Sequence, residues 1–425
     1  MINKAKNSVE LLAPVGDMEK LKTAIHFGAD AVYFAGKQFG LRAFAGNFEN
    51  LAEPIEYAHK KGVKAYVTVN IYPKNHQKKE IINYLKELNR LKPDGIIVSD
   101  IGIMRLAKEY APDVDLHIST QANTTNLTSA EAYVDLLGAT RVVLARELNL
   151  AEITEISKAL KKKNAEVEVF VHGAMCISYS GRCLLSNYLT GRDSNQGACA
   201  QPCRWGYSLS EKEKSVNKCY DGTTGSLEVQ EDENGTYFLN SKDLCLALHL
   251  DKLIKAGVKS FKIEGRMKSP YYLACVVGTY RRLIDGIISG KPTLSDSEAM
   301  AELKKSSHRE FTTGFVVDDG NIRQNYLSSH QTQDSIFLGT VLGKRKINNQ
   351  TEILVEMRNR FRVGDTVELV SSSDAHGERL VIKRMENEKG EEVLDAKRVQ
   401  EKLFITFDAS EKILEQIDTL DIIRK

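Results

Sequence analysis

The sequence predicts an α/β protein: a (β/α)8 barrel of the TIM type with a cysteine-bearing insertion, followed by a small C-terminal antiparallel β-barrel domain. Three observations support this prediction. Eight short apolar runs alternate with amphipathic helical patterns, glycine-containing returns such as HFGAD and KAGVK separate several of them, and a strand-rich tail begins near Phe337. At 425 residues and 42% hydrophobic content, the chain can form one large core and a second, smaller one.

The eight apolar runs are the expected barrel strands. They lie at Glu10–Pro14, Ala31–Phe34, Lys64–Asn70, Gly95–Ser99, Asp115–Thr120, Arg141–Leu144, Val167–His172 and Ser260–Glu264, with the first helix at Met18–Phe27. A doubly wound open sheet is the main competing fold. It is less favoured because neither a G-x-G-x-x-G turn nor a G-x-x-x-x-G-K-[ST] loop is present.

The expected domain boundaries place the barrel at residues 1–330, with an insertion at 173–240 and a linker at 291–330, and the second domain at 331–425. In the second domain, runs such as TEILVEM and KLFITF alternate at period two, which indicates a small antiparallel barrel. Its strands carry scattered cations, which suit solvated strand faces or RNA phosphates. These are Lys344, Arg345, Lys346, Arg358, Arg360, Arg362, Lys383 and Arg384.

Composition narrows the function class. The formal net charge is only +2, so the overall charge of the chain does not by itself indicate a nucleic-acid-binding protein. No segment is apolar for the roughly 18 residues that a membrane span needs, and the N-terminus lacks a signal-peptide core. We therefore expect a cytoplasmic protein without a membrane partner. Seven cysteines, an odd number, argue against a disulfide framework and agree with metal ligation.

Four of the seven cysteines are gathered in one run with the spacing C-x6-C-x15-C-x3-C, at Cys176, Cys183, Cys199 and Cys203. The C-x2-C pairs typical of zinc ribbons are absent from the run, and the looser spacing favours an iron–sulfur cluster; zinc and redox thiols remain alternatives. Cys245 is a fifth candidate ligand, at the start of a helix expected over Lys242–Ala256, where the helix N-terminus would favour a thiolate.

Polar residues stand at the carboxyl ends of the expected strands, where barrel enzymes place their chemistry. The expected rim includes Asn70, Gln121, Arg146, His172, Glu264 and Arg266. The insertion interrupts the seventh strand–helix unit, so the cysteine run falls on the same face. Barrel topology and thiol spacing thus independently predict an active site there, although capping or ion-pairing explains any single rim residue equally well.

Several long motifs together resemble the peptidase U-32 family, the so-called collagenase-like proteases. The motifs are VHGAMCISYSGRCLLSNYLTGRDSNQGACAQPCRW, LNSKDLC, KIEGRMKS and SHREFTTGF, and LLAPVGDMEKLKTAIHFGADAVYFAG extends the resemblance to the N-terminus. The resemblance implies a tRNA-modifying enzyme that forms 5-hydroxyuridine at the wobble position in a prephenate-dependent reaction, using a [4Fe–4S] cluster. It also implies tRNA and a paralogous subunit as partners.

The same resemblance assigns roles to residues. Cys176 and Cys183 match the family's G-x-M-C-x6-C positions; Cys199 and Cys203 complete the expected ligand set, with Cys245 as the substitute. Prephenate carries two carboxylates, which guanidinium groups bind bidentately. We therefore expect Arg42, Arg146, Arg182 and Arg266 to bind the substrate. The rim amides Asn70 and Gln121 are expected to bind it as well, and His172 and Glu264, which end strands at the rim, are expected to transfer protons.

Two other functions stay open. A U-32-type peptidase would need a nucleophile such as a Cys176–His172 pair, since H-E-x-x-H and G-x-S-x-G are both absent from the sequence. A non-catalytic iron–sulfur scaffold that serves a partner hydroxylase is the third reading.

Overall fold

The computed structural model describes residues 9–41, 46–205, 231–232, 235–236, 241–317, 331–347 and 350–425. Eight parallel strands form a closed barrel, as predicted. They are β1 (Glu10–Pro14), β2 (Ala31–Phe34), β3 (Lys64–Val69), β4 (Gly95–Val98), β5 (Asp115–Ile118), β6 (Arg141–Val143), β7 (Glu166–Ala174) and, after the insertion, β11 (Ser260–Ile263). The last strand closes the barrel because it pairs in parallel with both β1 and β7.

Helices follow most strands and cover the barrel. They are α1 (Met18–His26), α2 (Ala52–Lys60), α3 (Lys78–Leu91), α4 (Ile101–Tyr110), α5 (Leu127–Leu137), α6 (Leu150–Lys162), α7 (Leu185–Thr190), α8 (Leu250–Ala256), α9 (Pro270–Ser289) and α10 (Asp296–Lys304). Local sequence explains their starts: Asp17 and Asp100 accept hydrogen bonds from first-turn amides of α1 and α4. Ser269 caps α9, which has proline at its first position.

The barrel interior contains buried charges as well as apolar side chains. Lys262 and Glu168 are 4% and 0% exposed, and their Nζ and Oε1 atoms lie 2.7 Å apart. Arg141, also buried, contacts Glu168 at 3.1 Å and Glu10 at 2.6 Å. The Lys262 ammonium sits 4.5 Å from the ring centroid of Tyr33, so aromatic faces help to solvate the buried cation.

The insertion leaves and re-enters the barrel at one place. β7 runs past the barrel, and its end pairs antiparallel with β10 (Asp243–Cys245), which in turn pairs in parallel with β12 (Phe311–Thr312). Between β7 and β10 lie α7 and a short hairpin of β8 (Glu231–Asp232) and β9 (Gly235–Thr236).

The expected helix over Lys242–Ala256 is wrong at its start, because residues 243–245 form β10 and helix α8 begins only at Leu250. Pairing of Cys245 with His172 across the β7–β10 ladder overrides the local helical pattern.

The C-terminal domain is a closed antiparallel barrel, as predicted. Its strands are β13 (Phe337–Ile347), β14 (Gln350–Met357), β16 (Thr366–Val370), β17 (Arg379–Asn387), β19 (Lys402–Asp408) and β20 (Ile422–Arg424), with the pair β15 (Phe361–Arg362) and β18 (Asp395–Ala396) and helix α11 (Glu411–Gln416) beside them. The fully buried Arg424 anchors this domain to α10, where it donates to both carboxylate oxygens of Glu302 at 2.6 and 2.7 Å.

Acidic neighbours pair with seven of the eight cations that the sequence places on this small barrel, and the eighth, Lys344, donates to the carbonyls of Glu415 and Ile417. Lys346 pairs with Glu411, Arg345 with Glu352, and Arg360 with Asp395. Further ion pairs engage Arg358, Arg362, Lys383 and Arg384. The structure therefore favours solvated, ion-paired strand faces over a phosphate-binding surface here.

The helices of the protein are too short or too polar to cross a bilayer, as far as they are described.

Candidate functional site

The cysteine run lies over the carboxyl-terminal mouth of the barrel and is held there by rim loops. The backbone N–H of Ser180 donates to Glu147 Oε1 at 2.8 Å, and the N–H of Tyr72, after β3, donates to the carbonyl of Asn195 at 3.2 Å. These contacts join the loops that follow β3 and β6 to the insertion. The predicted placement of the run at the rim is therefore what the fold produces.

Gly181 packs directly on the barrel rim. Its φ is +74°, and a Cβ at this position would lie 2.0 Å from the carbonyl oxygen of Gln121. Only glycine combines this left-handed backbone with such a close approach. The loop that carries Cys183 is thus positioned by direct backbone contact with the end of the fifth strand unit.

The thiols of Cys176 and Cys183 are neighbours. Cys176 donates a hydrogen bond to Cys183, which lowers the pKa of Cys183 to about 5 and raises the pKa of Cys176. The backbone amides of Leu185 and Ser186, at the start of α7, also donate to Cys183. This sulfur is therefore held in the form that binds metals, since the thiolate is the ligand.

Cys203 belongs to the same group of thiols. Burial raises its pKa, and the nearby Cys199 and Cys183 sulfurs raise it further. Across the residues that the structure describes, no group of three His, Cys, Asp or Glu side chains is arranged to hold a single metal ion.

A cavity of about 330 Å³ opens between the cysteine run and the barrel. It is lined by Arg146, Ala174, Met175, Cys176, Cys199, Gln201, Cys203, Arg204, Glu264, Gly265, Met267, Lys268, Arg309 and Gln331. Three thiols therefore share one cavity with four cationic side chains and a single carboxylate. This volume suits a small organic molecule.

The protein fixes these cations tightly. Arg204 donates to the carbonyls of Ser241 and Met175 at 2.6 and 2.8 Å, and Lys268 donates to the carbonyl of Ser307 at 2.9 Å. Burial lowers the pKa of Arg204, and the charge of Arg309 lowers it further. Like charges confined in this way favour an anionic ligand in the cavity.

Arg309 is the most enclosed of the four. It is 8% exposed, its backbone N–H and Nη1 contact Asp243 at 3.0 and 3.4 Å, and its buried Nε has no hydrogen-bond partner within the described ranges. A buried donor without a partner is costly, so a ligand that accepts from it would gain affinity.

The two predicted proton-transfer residues lie in different surroundings. Glu264 lines the cavity, whereas His172 is 2% exposed and is not part of the lining given above. The His172 ring contacts Tyr272, Tyr280 and Phe311, with Nδ1 3.2 Å from the Tyr280 hydroxyl. Burial lowers the pKa of His172 to about 3, so the imidazole is neutral. The hydrogen bonds pair His172 with Tyr280 and Cys176 with Cys183, an arrangement that does not build a Cys–His nucleophile.

The predicted substrate-binding arginines divide in the same way. Arg146 lines the cavity and donates to the carbonyl of Ala174 at 2.8 Å, whereas Arg182 is exposed on the insertion. Arg266 is buried, with Nη1 on the carbonyl of Leu41 at 2.7 Å and Nη2 on Asn47. Arg42 lies outside the described residues.

The two predicted amides sit at the rim and serve the loops. Asn70 Oδ1 accepts from the backbone N–H of Leu41 at 3.0 Å. The carbonyl of Gln121 accepts from the Tyr72 hydroxyl and, as described, contacts Gly181. Substrate binding by their side chains stays a prediction.

The expectation of a thiolate-favouring helix start at Cys245 is wrong. The residue lies buried on β10, 3.9 Å from the Tyr280 hydroxyl, and burial raises the pKa of its thiol to about 11. Cys275 is buried in α9, and burial raises its pKa to about 12.

Sequence reasoning missed three cavity cations: Arg204, Lys268 and Arg309. Each lies within a motif on which the family resemblance rests, respectively PCRW, GRMKS and SHREF. Their position beside Cys203, Glu264 and the linker was a usable signal, but only the folded chain brings the three segments together.

The fold and the site together define a class: a (β/α)8-barrel protein with a thiol- and cation-lined cavity above the barrel mouth and an appended antiparallel barrel. The peptidase family U32 model matches residues 16–325, and the model of the peptidase family U32 C-terminal domain matches residues 333–424. The chain belongs to peptidase family U32.

Relatives within the family carry RNA-hydroxylation names. The chain is 40% identical to tRNA hydroxylation protein P1 of Bacillus subtilis (strain 168), over 84% of this chain and 82% of that protein. It is 38% identical to tRNA hydroxylation protein P of Escherichia coli (strain K12), over 90% of each chain. It is 35% identical to the 23S rRNA 5-hydroxycytidine C2501 synthase of Escherichia coli (strain K12), over 73% of this chain and 46% of that protein.

Proposed function

We propose that this protein hydroxylates RNA, and that its substrate is the wobble uridine of tRNA, which it converts to 5-hydroxyuridine. The observation that carries the proposal is the cavity, where thiols and cations meet at the catalytic end of a barrel. Full-length similarity to proteins named for tRNA hydroxylation supports tRNA as the substrate class. The peptidase alternative is less suitable because His172 pairs with the Tyr280 hydroxyl and the Cys176 thiol pairs with Cys183.

The proposal includes a [4Fe–4S] cluster held by Cys176, Cys183, Cys199 and Cys203. Cys176, Cys199 and Cys203 line one cavity and Cys183 contacts Cys176, so the four thiols adjoin the same space, and their loose sequence spacing is closer to that of iron–sulfur ligands than to the paired cysteines of a zinc ribbon. When bound, such a cluster supplies electron transfer. Cys245 is less suited because it lies buried on β10 with a raised thiol pKa.

Prephenate is the proposed co-substrate, bound in the cavity through its two carboxylates. Arg309 offers an Nε donor with no partner among the described residues, and Arg204 and Lys268 add positive charge. A planar guanidinium forms paired hydrogen bonds with carboxylate, which would fix the orientation of the ligand. We assign Arg146, which follows β6 and also lines the cavity, to the same role.

Glu264 is assigned the proton transfer. Its carboxylate lines the cavity, where it can hold or transfer a proton at a uracil ring that enters there. His172 is a positioning residue in this scheme: its neutral ring packs among aromatics and supports the end of β7, from which the cysteine run departs.

The first test measures iron and sulfide in anaerobically purified protein carrying single serine replacements. We expect replacement of Cys176, Cys183, Cys199 or Cys203 to abolish most of the cluster. Cys275→Ser is the matched control, because that thiol lies inside α9, and it should retain full iron content. A wild-type protein free of iron and sulfide would refute the cluster assignment.

The second test measures 5-hydroxyuridine in tRNA from a deletion strain complemented with each variant and, with purified protein, the rate of its formation as the prephenate concentration is varied. Arg309→Gln should raise the prephenate KM about 10- to 150-fold, the range expected for losing a charged hydrogen bond. The single variant leaves the buried Asp243 carboxylate without its cation, which could destabilise the fold. The double variant Arg309→Gln with Asp243→Asn removes that charge as well and should show the same rise in KM. Arg384→Gln, on the small barrel, is the control and should have the wild-type KM.

Two outcomes would contradict the proposal. If a strain that lacks this protein and any second route to 5-hydroxyuridine still contains undiminished 5-hydroxyuridine, the protein has no role in this tRNA modification. Modification in vitro that requires another chain would favour the scaffold reading instead.

A further inference from the structure

We propose that the outer surface of the insertion binds an unpaired RNA loop, stacking its bases on exposed aromatic rings. This surface, the insertion face, consists of Tyr179, Tyr188, Trp205, Arg182 and Arg192, with the neighbouring Lys74, Lys78 and Lys79. The inference rests on the proposed function and adds to it a place where the RNA docks, outside the cavity.

Three aromatic rings on this short segment face solvent. Tyr188 is 83% exposed, Tyr179 is 63% exposed and Trp205 is 44% exposed. Large apolar side chains grouped on a surface mark an interaction site more often than chance. Tyr179 and Tyr188 flank Cys183 in the chain, and Trp205 directly follows the cavity residue Arg204, so all three rings belong to the segment that carries the cavity cysteines.

The charge of the segment suits a polyanion. Arg182 and Arg192 are exposed on residues 175–205, where the one acid is Asp193, whose carboxylate accepts a backbone N–H at 2.8 Å as the cap of a 3-10 turn. Arginine and aromatic side chains are the groups on which unpaired bases stack. The segment is basic although the chain as a whole is nearly neutral.

A basic loop extends the face. The loop after β3 hydrogen-bonds to the insertion through the Tyr72 N–H and the Asn195 carbonyl, and next to it Lys74, Lys78 and Lys79 are exposed. Two of these lysines occupy the first turn of α3, where the helix dipole disfavours cations. An RNA phosphate at this position would offset that repulsion.

The rest of the molecule offers less for RNA. On the small C-terminal barrel, acidic neighbours already neutralise the cations. A second protein chain could also cover exposed aromatics, but the combination with arginines and a lysine loop favours a nucleic acid. The expected occupant is therefore a single-stranded loop whose target base enters the cavity.

Binding of a labelled anticodon stem-loop to the full-length protein tests this inference, with a blunt duplex of equal length as the second ligand. Tyr188→Ala and Trp205→Ala should each weaken stem-loop binding about 5- to 150-fold, the effect of losing one stacked base. Leu136→Ala is the matched control, since Leu136 is 73% exposed on α5, and it should leave the Kd unchanged.

Salt dependence tests the lysines. Replacing Lys74, Lys78 and Lys79 with alanine should reduce the slope of log Kd against log salt by about 2. Each lysine neutralises one phosphate, and each phosphate of a single strand contributes about 0.7 to that slope. The control replaces the exposed Lys158, Lys161 and Lys162 in the last turns of α6, towards the opposite end of the barrel. Its slope should match the wild type.

The inference would be overturned if both aromatic variants bound the stem-loop with wild-type affinity. It would also be overturned if they lost the binding of another protein while their RNA affinity stayed unchanged. Nucleoside analysis of the same variants separates the two proposals. If wild-type protein restores 5-hydroxyuridine while the variants keep their RNA affinity, the insertion face is wrong and the proposed function stands. If wild-type protein restores none, the proposed function is wrong, whatever the binding assay shows.

Discussion

Replacing Glu168 with glutamine should strongly destabilise the barrel. Glu168 is fully buried and its Oε1 lies 2.7 Å from the Nζ of Lys262, which is 4% exposed. Arg141 loses less, because it keeps Glu10 and Glu166 at 2.6 Å each. The main cost is therefore one uncompensated buried ammonium, for which about 3–5 kcal/mol is expected. Urea unfolding followed by circular dichroism measures this loss.

Two further variants make the reasoning falsifiable. Glu166→Gln removes a carboxylate from the same arginine, but that side chain is 45% exposed, so a loss below about 1 kcal/mol is expected. Adding Lys262→Met to Glu168→Gln removes the orphaned charge and should recover much of the stability. Equal losses for Glu166→Gln and Glu168→Gln, or no recovery in the double variant, would refute the account.

The pH dependence of the same variant has a defined sign. Burial lowers the pKa of Lys262 in the folded protein, so the unfolded chain binds more protons between that lowered pKa and the ordinary value of about 10.4. Stability from this group therefore rises with pH across that window. Without the Glu168 carboxylate the folded pKa falls further, and the window should widen toward neutral pH.

The remaining predictions concern the insertion and the domain interface. Gly181→Ala should reduce bound iron severely, because the added Cβ would lie 2.0 Å from the Gln121 carbonyl oxygen. Gly191 is also at positive φ but has open space around it, so Gly191→Ala should lower the free energy of unfolding by only about 1 kcal/mol and should retain iron. Glu302 is buried against Arg424, whose hydrogen bonds and charge outweigh the effect of burial and lower the pKa of Glu302 to about 2. Its contribution to stability should therefore be complete above about pH 4.5 and be lost as the pH falls toward 2. Glu302→Gln should flatten that part of an acid-unfolding curve, and an unchanged curve would contradict the assignment.

The barrel could be read from the sequence because its strands are short, buried apolar runs. Ala31–Phe34 and Gly95–Val98 are buried at every position, so hydrophobicity alone marks them. The error at Cys245 has the opposite origin. Its strand exists only through pairing with β7, a contact between residues about seventy positions apart, which no local pattern encodes.

The candidate site was predictable in its position but only partly in its composition. The cysteine run and Glu264 stand where strand ends predict them. Side-chain direction was not predictable: Arg266 follows Glu264 by two residues, yet its guanidinium turns to the loop after β2. Arg309 enters the cavity from a segment that the sequence marks only as a linker, and its placement depends on the β10–β12 pairing.

The contact between Arg204 and the carbonyl of Ser241, at 2.6 Å, brings together the two ends of the 206–240 stretch. The entropy of closing a loop grows only with the logarithm of its length, so residues can be gained or lost between two such fixed points at little thermodynamic cost. Changes in the length of this stretch should therefore leave the cavity intact. For the same reason, this stretch is a suitable place to insert an affinity tag or a reporter domain.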